Sequence, residues 1–139
     1  MVSYSQIINV PLDIVWKNFL YKINHPENFV PGASNVLVKE QNADFIIREM
    51  DIISPSGLTD RIIEKITFSP NWVNFSIVNH PIYTGFVYNL AEKISDNETK
   101  VTFSINWQNK VTGEFFSNHD VVKNAVLKTI DFIITSYKL

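Results

Sequence analysis

The sequence predicts an α+β fold in which a curved antiparallel sheet of about seven strands wraps around one long C-terminal helix. Between residues 121 and 137, apolar or small residues recur at the three- and four-residue spacing of one helical face: Val122, Ala125, Val126, Thr129, Ile130, Ile133 and Tyr137. A helix of about 19 residues is roughly 28 Å long, enough to cross a small sheet. Ser117 or Asn118 is expected to cap its start. The strands before it follow one another without intervening helices, which is typical of α+β proteins.

The chain begins with a strand and a helix. Residues 3–10 alternate polar and apolar side chains, a pattern that favours a strand. Pro11 suits the first turn of a helix, where its missing N–H costs nothing, and Asp13 complements the helix dipole there. Pro26 interrupts this helix, because the residue before a proline avoids helical geometry, and one more helical turn is predicted over 26–30. Two short helices are therefore expected after the first strand.

Six further strands are separated by turn signals rich in Asn, Pro, Ser, Asp and Gly. They are predicted at 35–40, 45–53, 58–68, 72–78, 83–94 and 100–108, with one of the turns at 54–57. The last strand alternates most clearly, with Val101, Phe103, Ile105 and Trp107 on one face. Short connections make consecutive strands pair antiparallel. Gly85 lies inside a predicted strand and is expected to mark a bulge or a sharp bend.

Composition indicates a folded domain. The 139 residues are 45% hydrophobic and 19% charged, and the formal net charge of −2 gives no basic surface for nucleic acid. The absence of cysteine excludes disulfides, thiolate metal sites and a cysteine nucleophile. No apolar stretch approaches the roughly 20 residues needed to span a bilayer, and residues 1–10 lack the pattern of a signal peptide. We therefore expect one domain over residues 1–139, located in the cytoplasm.

Three features of the chain resemble those of a known superfamily, the START-like or Bet v 1-like domains. Residues 10–16 (VPLDIVW) are similar to its first-helix motif, in which a proline is followed after two or three residues by valine and tryptophan. Residues 60–64 (DRIIE), which lead into Ser69 and Pro70, also resemble a segment of these domains. The closing helix is a third point of similarity with the superfamily. More narrowly, residues 25–32 (HPENFVPG) resemble the "Asn-Pro-x-x-Phe-Val-Pro" turn of the AtaL-like subfamily. The resemblance covers essentially the whole chain and implies the helix-grip fold.

The resemblance also implies a cavity between the concave face of the sheet and the C-terminal helix. The superfamily uses this cavity for sterols, lipids, polyketides, hormones and other hydrophobic ligands. Some members are cyclases or hydrolases, and others only bind a ligand or act as co-chaperones, so the chemistry must be argued from the residues in the cavity. Our preferred expectation is a monomer or homodimer that binds a small hydrophobic or aromatic molecule, without nucleic acid or membrane insertion.

Arg48 is the candidate polar anchor of this cavity. An even-numbered register between two neighbouring strands would set Arg48 nearly opposite Glu64. Inside the cavity, the arginine fork could hold the carboxylate or phenolate of a ligand. The alternative is a cross-strand ion pair on the solvent face, because a slip of one residue moves every side chain to the other face.

The walls of the predicted cavity are apolar and aromatic, as in pockets that accept flat ligands. Tyr88 is preferred over Asn89 as an inward-facing residue, because Tyr88 and its alternate neighbours Phe86 and Leu90 form the more apolar set. The predicted ligand-binding residues are Arg48, Met50, Tyr88, Phe103, Trp107, Val126, Ile130 and Ile133.

Two other functions remain open at this point. Asp60 and Glu64 are closely spaced carboxylates that could act as general acid and base in a cyclase or hydrolase, with Tyr88 assisting proton transfer, although half-exposed strand polarity explains them equally well. The second alternative is a ligand-free interaction module resembling Hsp90-activator domains. The three histidines do not cluster, so no metal is expected, and no motif indicates a cofactor.

Overall fold

The computed structural model describes residues 1–53 and 57–138. In chain order its elements are β1 (Val2–Ile8), α1 (Leu12–Asn24), a 3-10 turn (Pro26–Asn28), β2 (Ala33–Gln41), β3 (Ile46–Ile53), β4 (Thr59–Ser69), β5 (Trp72–Ile77), β6 (Tyr83–Thr84), β7 (Phe86–Ser95), β8 (Glu98–Ile105), β9 (Gln108–Asn109) and α2 (His119–Lys138). Most strands begin and end close to their predicted bounds. The turn predicted at 54–57 falls largely on residues 54–56, which lie outside the described residues.

Seven of the strands form one antiparallel sheet, in the order β1-β8-β7-β5-β4-β3-β2. The short strands β6 and β9 pair with each other in a separate two-stranded sheet. The helices lie on one side of the main sheet, and the apolar core fills the space between them. The predicted α+β architecture, a curved antiparallel sheet closed by one long C-terminal helix, is confirmed.

Helix α1 follows β1 closely and carries a charged residue on its buried side. Pro11 occupies the N-cap position immediately before the helix. Val15, Phe19 and Ile23 are buried, and so is Lys22. A step of three or four residues returns to the same helical face, which places Lys22 beside the buried apolar residues. The helical turn predicted after α1 is the observed 3-10 turn.

Helix α2 packs mainly against β1 and β8. Its start is capped by Asn118, whose Oδ1 accepts hydrogen bonds from the backbone N–H groups of Asp120 at 3.1 Å and Val121 at 3.4 Å. Tyr137, predicted on the buried face, is half-exposed near the end of the helix. The buried face of α2 consists of Val122, Val126, Thr129, Ile130 and Ile133.

Within the described residues, no helix combines the length and the apolar character that crossing a membrane would require.

Gly85, expected to mark a bulge or a sharp bend inside one strand, separates two strands, β6 and β7. Its φ of +118° is a backbone conformation that residues with a Cβ rarely adopt. A Cβ at this position would lie 2.8 Å from both the backbone oxygen and Oδ1 of Asn106. That Oδ1 accepts a hydrogen bond from the backbone N–H of Phe86 at 2.7 Å. The close approach lets the chain leave the main sheet and pair with β9.

We expect Gly85→Ala to lower the free energy of unfolding by about 2 to 3 kcal/mol, because it adds both backbone strain and a steric clash. Urea denaturation would measure the loss. Gly113→Ala is the matched control, since Gly113 also has a positive φ (+77°) but a Cβ added there would meet nothing within 4 Å. Equal losses in the two variants would show that the contact with Asn106 is unimportant.

Candidate functional site

Arg48 on β3 and Glu64 on β4 face each other inside the molecule. They are cross-strand partners in the observed register, as predicted, and Arg48 Nη2 donates a hydrogen bond to Glu64 Oε1. Arg48 is only 1% exposed and Glu64 only 4%, so the alternative of a solvent-face ion pair is wrong. Arg48 Nη1 donates to the backbone oxygen of Ile23 at 2.9 Å. The guanidinium therefore joins the sheet to the C-terminal end of α1.

Lys22 reaches the same interior from α1. Its Nζ donates to Asn89 Oδ1 at 2.7 Å and lies 4.2 Å from the centre of the Phe103 ring. Burial and, to a smaller extent, the charge of Arg48 lower the pKa of Lys22 from its ordinary value of 10.5 to about 7, while Glu64 opposes this shift. The side chain is 4% exposed. Burial therefore favours the neutral amine at this position much more than at an exposed lysine.

Lys22, Arg48, Glu64 and Asn89 together form what we call the interior polar cluster. It contains two basic side chains and one carboxylate, so it has an excess positive charge whenever Lys22 is protonated. Two of its N–H groups, Arg48 Nε and Asn89 Nδ2, are buried and have no hydrogen-bond partner among the described residues. Buried donors are paired in most folded proteins. The cluster is therefore able to donate further hydrogen bonds to an acceptor, and an anionic acceptor would also balance its charge.

Most of the predicted cavity walls belong to the buried core. Phe103 packs edge-on against Phe19 of α1, with ring centroids 6.1 Å apart, and α2 covers the sheet beside it. Side chains of the protein itself thus occupy much of the space that the prediction assigned to a ligand. Two surface depressions, of about 370 and 360 Å³, are lined by none of the predicted ligand-binding residues. The buried wall candidates are Met50, Phe103, Val126, Ile130 and Ile133.

The prediction that Tyr88 faces inward is wrong. Asn89 is the inward residue, since it is fully buried and accepts the hydrogen bond of Lys22. Tyr88 lies on the opposite face of β7, where its ring stacks on that of Trp72 with centroids 5.9 Å apart. The apolar content of the two alternating sets was a poor guide, because the outer face of this sheet also carries aromatic residues.

Trp107 lies beyond the end of β8 and does not reach the interior polar cluster. Asn89 pairs with Phe103 across β7 and β8, and Trp107 is four residues further along, about 13 Å away in an extended chain. Its ring packs at a tilt against Tyr83, with centroids 5.6 Å apart. Its buried Nε1 has no hydrogen-bond partner among the described residues.

The carboxylates of the enzyme hypothesis do not converge. Asp60 and Glu64 lie on the same side of β4 but four residues apart, which is about 13 Å along a strand. Glu64 is buried against Arg48, while the side chain of Asp60 is half-exposed at the sheet end. Tyr88 is on the other face of the sheet. The structure therefore does not assemble the predicted acid, base and phenol into one site.

Asp60 instead forms a hydrogen bond with the ring of His80. The His80 Nε2–H donates to Asp60 Oδ2 at 2.7 Å, and Nδ1 accepts from the backbone N–H groups of Ile82 and Tyr83, both at 3.0 Å. Both ring nitrogens are thus used in shaping the turn before β6, and neither is left for a substrate. Among the described residues, no three His, Asp or Glu side chains come together as a metal site would need.

Comparison with protein families identifies the family of this chain. The model of the family "Acetylaranotin biosynthesis cluster protein L" (AtaL) matches residues 8–134, a range that includes the whole interior polar cluster. The chain belongs to the AtaL family. A search of curated protein sequences returned no match.

Solved structures with very different sequences share the fold of this AtaL-family chain. The Zhui aromatase/cyclase from Streptomyces sp. R1128 has a TM-score of 0.76 at 12% identity and covers 99% of this chain and 92% of its own. A START superfamily protein from Mycobacterium smegmatis has a TM-score of 0.68 at 9% identity, covering 98% and 94%. The two-domain aromatase/cyclase StfQ of the steffimycin biosynthetic pathway has a TM-score of 0.68 at 10% identity, covering 99% and 52%. The START-like, helix-grip fold is therefore confirmed.

Two members of the interior polar cluster of this AtaL-family protein were missed from the sequence. Lys22 lies three residues after Phe19 and seven after Val15, which is the spacing of the buried helical face. The apolar content of the strand that contains Asn89 favours its neighbour Tyr88 as the inward residue. A lysine on the apolar face of a helix is the signal in the sequence that marks Lys22, whereas the alternation of β7 allows either Tyr88 or Asn89 to face inward.

Proposed function

We propose that this protein binds a small hydrophobic ligand that carries an acidic group, with that group placed at the interior polar cluster. The observation that carries the proposal is the presence of two buried N–H groups without partners among the described residues, Arg48 Nε and Asn89 Nδ2, in an otherwise apolar interior. Leaving a buried donor unpaired is unfavourable by about 1 to 3 kcal/mol. A carboxylate or phenolate oxygen would relieve this penalty.

The charge of the cluster supports an anionic group. Arg48 is already paired with Glu64 through Nη2, which leaves its Nε edge unused. Lys22 contacts a neutral amide and two aromatic rings, those of Phe103 and Phe75. An oxyanion between these two basic groups would restore charge balance and favour the protonated form of Lys22.

The surrounding residues support a hydrophobic body for the ligand. The cluster is enclosed by core residues of the sheet, of α1 and of α2. Two of the similar structures are named aromatase/cyclases, which supports a flat, ring-containing compound. Because side chains fill this interior in the structure, entry of a ligand requires displacement of α1, α2 or their side chains. Binding would then select a more open, minor conformation.

Cinnamate, an aromatic carboxylate, and cinnamamide, its neutral counterpart, provide a direct test. We expect cinnamate to raise the melting temperature and cinnamamide to have little effect. A ligand that binds only the native state contributes about 2.7 kcal/mol at 100 times its Kd, which is easily detected by thermal shift. Isothermal titration calorimetry would supply the affinity.

Arg48→Lys tests whether the guanidinium binds the acidic group, because this variant keeps the positive charge but removes the Nε donor and the planar fork. It should abolish most of the stabilisation by cinnamate. Arg61→Lys is the control, since Arg61 forms its ion pairs with Glu49 and Asp51 on the exposed face of the same strand pair. Equal stabilisation of both variants, or a preference for cinnamamide, would contradict the proposal. If no aromatic acid binds, the interaction-module hypothesis is favoured.

A further inference from the structure

We propose that the amine of Lys22 condenses reversibly with the carbonyl group of a hydrophobic aldehyde or ketone, so that the ligand is held in this interior as an imine. This inference rests on the proposed function, because the same site must admit the ligand. It adds a covalent step and a second functional group to the ligand, a carbonyl beside the acidic group.

The position of Lys22 supports a nucleophilic role. Within the described residues Lys22 forms no ion pair, and Glu64, whose charge acts on it, is bonded to Arg48. The groups around its Nζ are the amide of Asn89 from β7 and the rings of Phe75 from β5 and Phe103 from β8. The charges that act on it are those of Arg48 on β3 and Glu64 on β4. These surroundings disfavour the ammonium form, and only a neutral amine attacks a carbonyl carbon.

Asn89 is placed to assist the same reaction. Its Oδ1 accepts the hydrogen bond from Lys22 Nζ at 2.7 Å and so fixes the direction of the amine. Its Nδ2 is fully buried and has no partner among the described residues. A donor held on the same amide group as the acceptor of the amine can bind the carbonyl oxygen as negative charge develops on it.

The condensation balances without any further reactant. The nitrogen lone pair of Lys22 forms a bond to the carbonyl carbon, and the carbonyl π electrons move to the oxygen to give a carbinolamine after proton transfer. That oxygen then leaves as water, and both hydrogens of this water come from the original amine. A carbon–nitrogen double bond remains. Hydrolysis reverses the step and releases the ligand. An apolar, enclosed site favours the dehydrated product, because it limits the return of water.

Reductive trapping with salicylaldehyde and cyanoborohydride tests the inference at neutral pH. Salicylaldehyde carries an aldehyde beside a phenol, and the reductant converts an imine into a stable secondary amine. Intact-mass measurement should show predominantly one adduct per chain, and peptide mapping should place it on Lys22. Excess cinnamate should suppress the adduct, since both compounds would compete for the interior polar cluster.

Two variants complete the experiment. Lys22→Arg keeps a cation but cannot form an imine and should lose the specific adduct, whereas Lys17→Arg, on the exposed side of the same helix, should retain it. Adducts spread over surface lysines, or an unchanged specific adduct in Lys22→Arg, would overturn the inference. If cinnamate stabilises the protein but Lys22 is not trapped, the imine is wrong and the proposed function stands. If neither compound is bound, both are wrong.

Discussion

Replacing Arg48 by methionine is expected to lower the free energy of unfolding by about 3 to 5 kcal/mol. The substitution keeps an unbranched apolar stem but removes the only ion-pair partner that Glu64 has within the described residues. Glu64 is 4% exposed, so its carboxylate would remain buried without its hydrogen-bonded ion-pair partner. The backbone oxygen of Ile23 would also lose the hydrogen bond that Arg48 donates. Urea denaturation at pH 7 would measure the loss.

The double variant Arg48→Met, Glu64→Leu distinguishes a lost ion pair from a general packing defect. Apolar side chains of similar size can replace a buried ion pair at little cost, so the double variant should recover most of the stability that Arg48→Met loses. Arg61→Met is the control on the exposed face and should have a much smaller effect. The single variant Glu64→Leu completes the cycle: if the losses of Arg48→Met and Glu64→Leu simply add in the double variant, the pair makes no specific contribution.

The stability of the protein should rise with pH between about 7 and 10.5 because of Lys22. Its folded-state pKa, about 7, is below the value of 10.5 expected in the unfolded chain. Below pH 7 both states bind the proton and the full penalty of burying the charge is present. Between the two values the unfolded state holds a proton that the folded state lacks, so raising the pH favours folding. The full effect is roughly 5 kcal/mol, at about 1.4 kcal/mol for each pKa unit.

Other groups titrate in this range, so the useful quantity is the difference between the wild type and Lys22→Met. The curve of unfolding free energy against pH should be flatter for Lys22→Met, and the two curves should diverge progressively from about pH 10 down to pH 7. Lys17→Met, which alters an exposed residue of the same helix, should run parallel to the wild type. Parallel curves for wild type and Lys22→Met would show that Lys22 titrates as an ordinary surface lysine.

Much of the fold could be predicted because its elements obey simple periodicities. The apolar spacing of α2 and the alternation of β8 depend on local sequence alone, and the buried residues of both elements were largely predicted, although β8 ends at Ile105, before Trp107. The pairing of Arg48 with Glu64 was expected from an even-numbered register of two neighbouring strands, and the observed register confirms it, whereas the sequence left open which face of the sheet carries the pair.

The interior polar cluster was harder to predict, because its members come from four elements that are distant in the chain. Burial of the Lys22 side chain is unfavourable by itself. The hydrogen bond to Asn89 and the contact with the ring of Phe103 offset part of this cost, and neither contact is visible in the local sequence around Lys22. Conversely, the orientation of Asn89 depends on Lys22. Neither residue reveals its role alone, and the apolar content of β7 favoured its neighbour Tyr88. The amount of space left beneath the helices depends on side-chain packing, which periodicity does not determine.

Charged residues on both faces of β3 and β4 also have a consequence for how the chain reaches this fold. Arg48 and Glu64 point into the core, while Glu49, Asp51 and Arg61 form ion pairs on the opposite side. Shifting β4 by a single residue would drive Arg61 into the apolar interior and expose Glu64 to water. Such a mispaired hairpin would be strongly disfavoured. The charges on both faces of β3 and β4 therefore lower the population of misfolded, aggregation-prone strand arrangements during folding.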